Sequence, residues 1–447
     1  LPNKRVRVGD DTAARTPTTR RRRWGRRAVA VPAGAALLLL PLLTNGAAPA
    51  HAAGRADRAP AESRADAESR ADAARAPAHG RGSVVSVRRV DVLDRDRVRE
   101  QLSPYDLDAP PAEYGVVTYV VVYRTIDAAG RPTVASGLVA VPRGGSRTQR
   151  VLAFEHGTTV EKAGAPSGER ADDNRAFPLF YAGAGYFTVA PDYLGLGLGP
   201  GRHPYDHAAS EASASVDLLR AAREPARREG VRLDGRVLVT GFSQGGHAAM
   251  ALAETLDAGA DPRLTLGGLA PASGPYDLEG VMLPAAMGTP GDARAVNLAV
   301  GYLVLGWNAA RPLYRHPEEV FLPDQVDTVL RLFDGWHTEA QILAGLPDRR
   351  EALFQAEFLA GRNEAAGRFL AAMRENDTTC AWRPRVPVVL FAARGDREVP
   401  FANTESCART LTAHGADVRV SDLGDIGHIP SGIESAPRIL AWFAART

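Results

Sequence analysis

Residues 236–246 read Arg-Val-Leu-Val-Thr-Gly-Phe-Ser-Gln-Gly-Gly. The apolar run Arg236–Thr240 is short and rich in β-branched residues, which predicts a buried strand. It leads directly into Gly241-Phe242-Ser243-Gln244-Gly245, and the small-residue stretch Ser243–Leu256 that follows predicts a helix. A serine between two glycines at a strand-to-helix turn has a physical use. The turn is strained, the glycines remove Cβ clashes, and the serine oxygen projects clear of the sheet. The helix N-terminus behind it favours negative charge nearby. The bland alternative is a tight turn with serine as a plain helix cap.

Outward from this motif the pattern is strand, helix, strand, helix. Val116–Arg124 and Val134–Val141 are predicted strands joined at the Asp127–Gly130 turn. Arg150–Glu155, Tyr186–Ala190, Leu264–Ala270, Val386–Ala392 and Val418–Asp422 read as further short strands. Helices are expected over His207–Glu229, about Asn403–His414, and Pro437–Ala444. Apolar strands alternating with helices predict an α/β fold: a mostly parallel central sheet, mixed at one edge, with helices on both faces. Between Tyr276 and Arg385 strand signals stop and amphipathic patterns such as Val320–Phe333 and Arg350–Leu359 take over. The expected division is core over 84–275, helical cap insertion over 276–385, and a second core part over 386–447. Such a cap would lie over the C-terminal sheet edge, where open α/β sheets bind ligands.

A serine nucleophile needs a base, and the base needs an orienting acid. On this topology they follow in the order serine, acid, histidine. Asp396 and His428 stand just past the ends of the last two predicted strands. Glu398 and Asp425 are rival acids, but Asp396 is nearer its strand end and beside a turn glycine. His414 falls on a helix and His337 in the cap, leaving His428 as the best-placed base. The backbone N–H of Gln244 is the first candidate oxyanion donor. Thr158, or its neighbour in Glu155-His156-Gly157-Thr158-Thr159, is the second.

The chain has 447 residues, 45% hydrophobic and 24% charged, ordinary for a globular protein. A collagen-like, wholly disordered or polytopic membrane chain is excluded. The formal net charge is +2, but residues 1–52 carry about +8 of it and the remainder is mildly acidic. That gives no support to nucleic-acid binding. The basic Arg20–Arg23, Arg26 and Arg27, the apolar Ala28–Leu43 and the small-x-small Ala50-His51-Ala52 predict a cleaved signal peptide over 1–52, by general or twin-arginine export. The apolar run is too short to span a bilayer, so no stable membrane anchor is expected after cleavage. Residues 53–83 repeat Glu-Ser-Arg-Ala-Asp-Ala and hold no apolar stripe, which predicts a disordered tether. Cys380 and Cys407 suit one disulfide in an exported protein, with two buried thiols as the alternative.

From about Tyr114 onward the chain resembles the secretory lipase family of the α/β-hydrolase fold. The strings that carry the likeness are Glu155-His156-Gly157-Thr158, Ala190-Pro191-Asp192-Tyr193-Leu194-Gly195-Leu196-Gly197, His203-Pro204-Tyr205 and Gly241-Phe242-Ser243-Gln244-Gly245-Gly246. Asn376-Asp377, Trp382 with Pro384, Gly395-Asp396 through Val399-Pro400, and Gly427-His428 add to it. The resemblance implies hydrolysis of carboxylic esters, lipids included, with no metal or organic cofactor. Phe242 stands where many relatives have Tyr, and Arg394 where His is common before Gly-Asp; Arg394 would change the charge near the acid.

His156, Asp192, Tyr193 and Tyr205 are candidate substrate-binding residues, with loop capping and packing as the alternative. Val300, Leu303, Val304, Leu305 and Trp307 suit either an acyl-chain tunnel or ordinary packing. The expectation for the whole is a secreted serine ester hydrolase acting on an ester or lipid, with oligomeric state open. A serine peptidase on the same fold, or a catalytically silent binding protein, are the alternatives.

Overall fold

The computed structural model describes residues 80–446 apart from 108, 171, 289 and 290. The expected signal peptide, and the tether as far as residue 79, lie outside the described residues. Residues 80–83 make a turn fixed to the core: the Gly82 N–H donates to Arg124 O, and the Arg81 guanidinium reaches Asp217 and Ser213, each at 2.9 Å.

Nine strands form one sheet: β1 Val84–Leu93, β2 Gly115–Ile126, β3 Pro132–Arg143, β4 Thr148–Glu155, β5 Phe187–Pro191, β6 Arg232–Gly241, β7 Thr265–Leu269, β8 Val388–Ala392 and β9 Val418–Asp422. Their order is β1-β2-β3-β5-β4-β6-β7-β8-β9. β1, β2 and β3 pair antiparallel, and β3 meets β5 antiparallel. From β5 to β9 all pairings are parallel. The helices used below are α1 Arg95–Leu102, α2 Asp172–Gly183, α3 Ala208–Ala221, α4 Gln244–Asp257, α5 Arg294–Ala310, α6 Val326–Leu332, α7 Glu339–Gly345, α8 Glu364–Asn376, α9 Ala402–Ala413 and α10 His428–Ala444.

The sheet is buried on both faces because its strands are apolar at consecutive positions. Val151, Ala153, Val237, Val239 and Leu390 pack with α3, α4 and α9. Their neighbours Leu152, Phe154, Leu238 and Phe391 point the other way, against α1, α2 and α10. Only the period of two along a strand is needed to divide the residues so. β9 closes the sheet as an edge strand, and the exposed Arg419 on it blunts further pairing.

Between Ala272 and β8 the described chain makes helices and one isolated bridge, Phe321 to Phe354. This insertion has its own hydrophobic core, which holds Val300, Leu303, Val304, Leu305 and Trp307. Packing therefore accounts for that stripe. The continuous helix expected over Val320–Phe333 is interrupted, because Pro323 lacks an N–H and pushes its predecessor out of helical geometry. Only α6 remains. Strand β1 reads Val-Arg-Arg-Val-Asp-Val over Val87–Val92, a charged pattern with no strand signal of its own. The last helix starts at His428 rather than Pro437. Pro430 reads as a helix breaker in sequence, but in a first turn its missing N–H has no helical acceptor to lose.

Among the described residues no helix is long and apolar enough to cross a membrane. Cys380 and Cys407 are bonded, with Cα atoms 5.3 Å apart, tying the end of the insertion to α9.

Candidate active site

The strand order reverses about β4: the chain turns to β5 on one side and to β6 on the other. This is the switch point where α/β sheets open a crevice at their C-terminal ends. β4 ends there in Glu155-His156-Gly157, and β6 ends in Gly241.

Ser243 takes φ 59° and ψ −125°, a conformation unfavourable for any residue with a Cβ. The turn is closed by the Ser243 N–H to Ala272 O at 3.0 Å and the Gly246 N–H to Ser243 O at 2.7 Å. Glycine is compulsory on either side. A Cβ on Gly241 would lie 2.1 Å from Gly245 O, and one on Gly245 would lie 1.9 Å from Glu155 O. The chain thus pays in strain to aim one hydroxyl.

That hydroxyl meets His428. The His428 Nε2 is 2.8 Å from Ser243 Oγ, and its Nδ1 is 2.7 Å from Asp396 Oδ2. Asp396 Oδ1 accepts the N–H groups of Glu398 and Val399, both at 2.9 Å. The carboxylate is therefore oriented from two sides. The rival acid Glu398 supplies only backbone here; burial pushes its own carboxyl upward. Arg394 turns away to Asp422 at 2.7 Å and stacks on Phe401, so its charge is taken up at the surface. Phe242 lies against the His428 ring, centroids 4.7 Å apart.

The Gln244 N–H donates to no carbonyl among the described residues, nor do those of Gly157 and Thr158. A Cβ on Gly157 would stand 3.7 Å from Ser243 Cβ, so this loop borders the nucleophile. Thr158 Oγ1 hydrogen-bonds Tyr205 Oη at 2.9 Å. Of the four candidate substrate residues, only Tyr205 keeps appreciable exposure. Asp192 is sealed inside and accepts from Ser136 Oγ at 2.5 Å and the Ser167 N–H at 2.9 Å. Tyr193 stacks on His156 and donates to its carbonyl at 3.2 Å. These three brace the loops from behind.

Sequence reasoning missed a buried polar cluster under the turn. Glu211 on α3 is 0% exposed and contacts Gln244 and His247. The available signals were an acid in the Ala- and Ser-rich first half of α3 and a histidine one helical turn after Gln244. Asp206, Glu211 and His247 offer metal-type ligand atoms within 4.8 Å of one another. The hydrogen bonds argue against a cation there. Asn376 Oδ1 accepts the Ala208 N–H at 2.8 Å, which fixes its amide orientation. Its Nδ2 then donates to Asp206 O at 2.7 Å and to His247 Nε2 at 3.1 Å. Nε2 is thus an acceptor, and the ring proton sits on Nδ1 facing Glu211. Moving that proton to free Nδ1 for a metal would set Nε2–H against an N–H donor. Burial disfavours a charged His247 ring while the Glu211 carboxylate pulls its pKa upward. The Asn376 amide, fixed by two other bonds, donates to Nε2 and so holds the ring neutral.

No protein-family model matches the sequence, and the search of curated proteins found no match. Solved structures do match. The rice cell wall degrading esterase LipA from Xanthomonas oryzae is 28% identical with a TM-score of 0.71, over 81% of this chain and 97% of that one. A Legionella pneumophila protein, itself inferred to be a hydrolase, is 27% identical with a TM-score of 0.74 over the same shares. Candida antarctica lipase A shares the fold at 15% identity and a TM-score of 0.59, over 82% of this chain and 83% of that one. The chain accordingly has the α/β-hydrolase fold, and its neighbours support a hydrolase.

Proposed function

We propose that the protein is an exported carboxylic ester hydrolase, an esterase or lipase, with Ser243, His428 and Asp396 as its catalytic triad. The observation that carries this is the unbroken line from Asp396 through His428 to Ser243 Oγ, with bonds of 2.7 and 2.8 Å. The likeness to the X. oryzae esterase supports ester over peptide substrates. The disulfide and the N-terminal reading support export.

In this mechanism Ser243 Oγ attacks the ester carbonyl as His428 Nε2 takes its proton. Asp396 keeps the other ring proton on Nδ1 and stabilises the imidazolium that forms. The oxyanion receives the N–H of Gln244 and that of Gly157 or Thr158, with the N-terminus of α4 behind it. His428 gives the proton to the departing alcohol, leaving an acyl group on Ser243. Water then attacks with His428 as base, and the acid leaves.

The test is hydrolysis of nitrophenyl acetate, butyrate, octanoate and palmitate, and of a peptide nitroanilide, beside Ser243→Ala. Ester turnover lost in Ser243→Ala is the expected result. Its chain-length profile separates esterase from lipase. Turnover of the anilide alone moves the reading to a peptidase. No turnover and no fluorophosphonate labelling of Ser243 moves it to a silent binding protein.

A further inference from the structure

Under the nucleophile turn, hydrogen bonds run from Leu194 to Asn376 with every proton assigned. His203 Nδ1 donates to Leu194 O at 2.9 Å. Its Nε2 accepts from Gln244 Nε2 at 2.8 Å. The second Gln244 amide proton goes to Glu211 Oε1 at 2.8 Å. Glu211 Oε2 accepts from His247 Nδ1 at 3.0 Å, and His247 Nε2 accepts from Asn376. His203, Gln244, Glu211 and His247 are all buried. Burial also holds His203 neutral, its pKa lowered to about 4, which agrees with an accepting Nε2.

We propose that Glu211 is a positioning residue for the oxyanion hole: its carboxylate holds the Gln244 side chain, and through it sets the direction of the Gln244 N–H. This rests on the ester-hydrolase reading above. Three features favour it. Gln244 directly follows the strained Ser243, where a free turn would relax to a less strained backbone. Both Gln244 amide protons are used on buried partners, His203 and Glu211, so the side chain is a tether and not a substrate contact. Glu211 accepts at once from Gln244 and His247, three residues apart on the first turn of α4. A carboxamide there would turn a donor toward Gln244 or His247, whereas a carboxylate accepts from both.

The experiment is a double-mutant cycle of Glu211→Gln and Gln244→Ala, read in kcat and KM for nitrophenyl butyrate and in the affinity for a boronic acid that mimics the tetrahedral anion. Glu211→Gln should lower kcat by about 10- to 100-fold, the scale of a small misplacement of a catalytic group, with KM little changed. Boronate affinity should fall in parallel. In the Gln244→Ala background, where the N–H remains but the tether is gone, Glu211→Gln should change kcat by less than about threefold. Independent effects that multiply, or a rise in KM at constant kcat, overturn the proposal. If Glu211→Gln does not fold, judged by its thermal transition, Gln244→Met replaces it. That variant keeps the shape and removes both donors, and an unchanged kcat in it overturns the proposal. If the wild type cleaves no ester, the ester reading has failed. The cycle is then run on the rate of fluorophosphonate labelling of Ser243, where absence of coupling sinks the positioning role by itself.

Discussion

Tyr302 on α5 of the insertion donates its hydroxyl to the carbonyl of Thr159 at 3.0 Å. The same ring stacks on Tyr205, centroids 4.9 Å apart, and Tyr205 reaches Thr158. Trp307, one and a half turns along α5, donates Nε1–H to Tyr205 O at 2.6 Å. The insertion therefore grips the loop that borders Ser243 through side-chain and backbone bonds together. Removing only the hydroxyl, in Tyr302→Phe, keeps the stack and leaves a buried carbonyl unpaired. The expected cost is about 1–2 kcal/mol in urea unfolding. It should come with a several-fold fall in kcat if the loop carries an oxyanion donor; a full-strength kcat would detach the loop from catalysis.

Asp396→Asn tests the acid with little change of shape. The Asn amide would place a donor where His428 Nδ1–H now finds an acceptor, which favours the wrong tautomer. The expected outcome is a loss in kcat of about a thousandfold or more, with KM nearly constant. Glu398→Gln, in which the backbone N–H to Asp396 persists, should retain most of the activity. The reverse ranking in a side-by-side assay would make Glu398 the acid.

Glu155 gives a pH prediction. It is fully buried, Oε2 accepts from Ser215 Oγ at 3.0 Å, and Oε1 is unpartnered. Burial raises its pKa to about 8, with Glu211 adding to the rise, so at neutral pH the folded protein holds it protonated. The unfolded chain releases that proton near pH 4.5. Between those values the folded state binds more protons, and its stability falls as pH rises. Relative to Glu155→Gln, which mimics the protonated form, the wild type should lose about 1.4 kcal/mol per pH unit between pH 5 and 7.5. Urea midpoints measured across that range decide it. Parallel curves for the two proteins would show that Glu155 does not titrate there.

The disulfide closes a separation of 27 residues between the insertion and α9. Loop-closure entropy puts its stabilisation at about 3.5 kcal/mol. Reduction should lower the melting temperature, while kcat at 25 °C stays near the oxidised value, because neither cysteine touches the triad. A melting curve with and without reductant, paired with an ester assay, checks both halves.

Much of the architecture was legible because its signals are local. The run Arg236–Gly246 specifies a strand, a forced turn and a helix through β-branched residues and glycines whose neighbours leave no room for a Cβ. Asp396 and His428 could be picked because chain order and strand ends restrict where an acid and a base can stand. The unbroken apolar runs of β4, β6 and β8 mark a sheet buried on both faces.

Other parts rest on contacts that no local pattern carries. β1 reads as a charged segment until its pairing with β2 supplies the missing hydrogen bonds. Asp192 and Tyr193 look available in sequence, and only the packing of Ser136 and Ser167 around them shows that they face inward. Glu211 and His203 come from α3 and the loop before it and Asn376 from the distant end of α8, and nothing in their spacing forecasts that they converge beneath Gln244. The turn and the chemistry it can present are written in a few adjacent residues. Which buried groups hold that turn emerges from packing alone, because a hydrogen bond between residues 33 to 170 apart depends on where the folded elements bring its two ends.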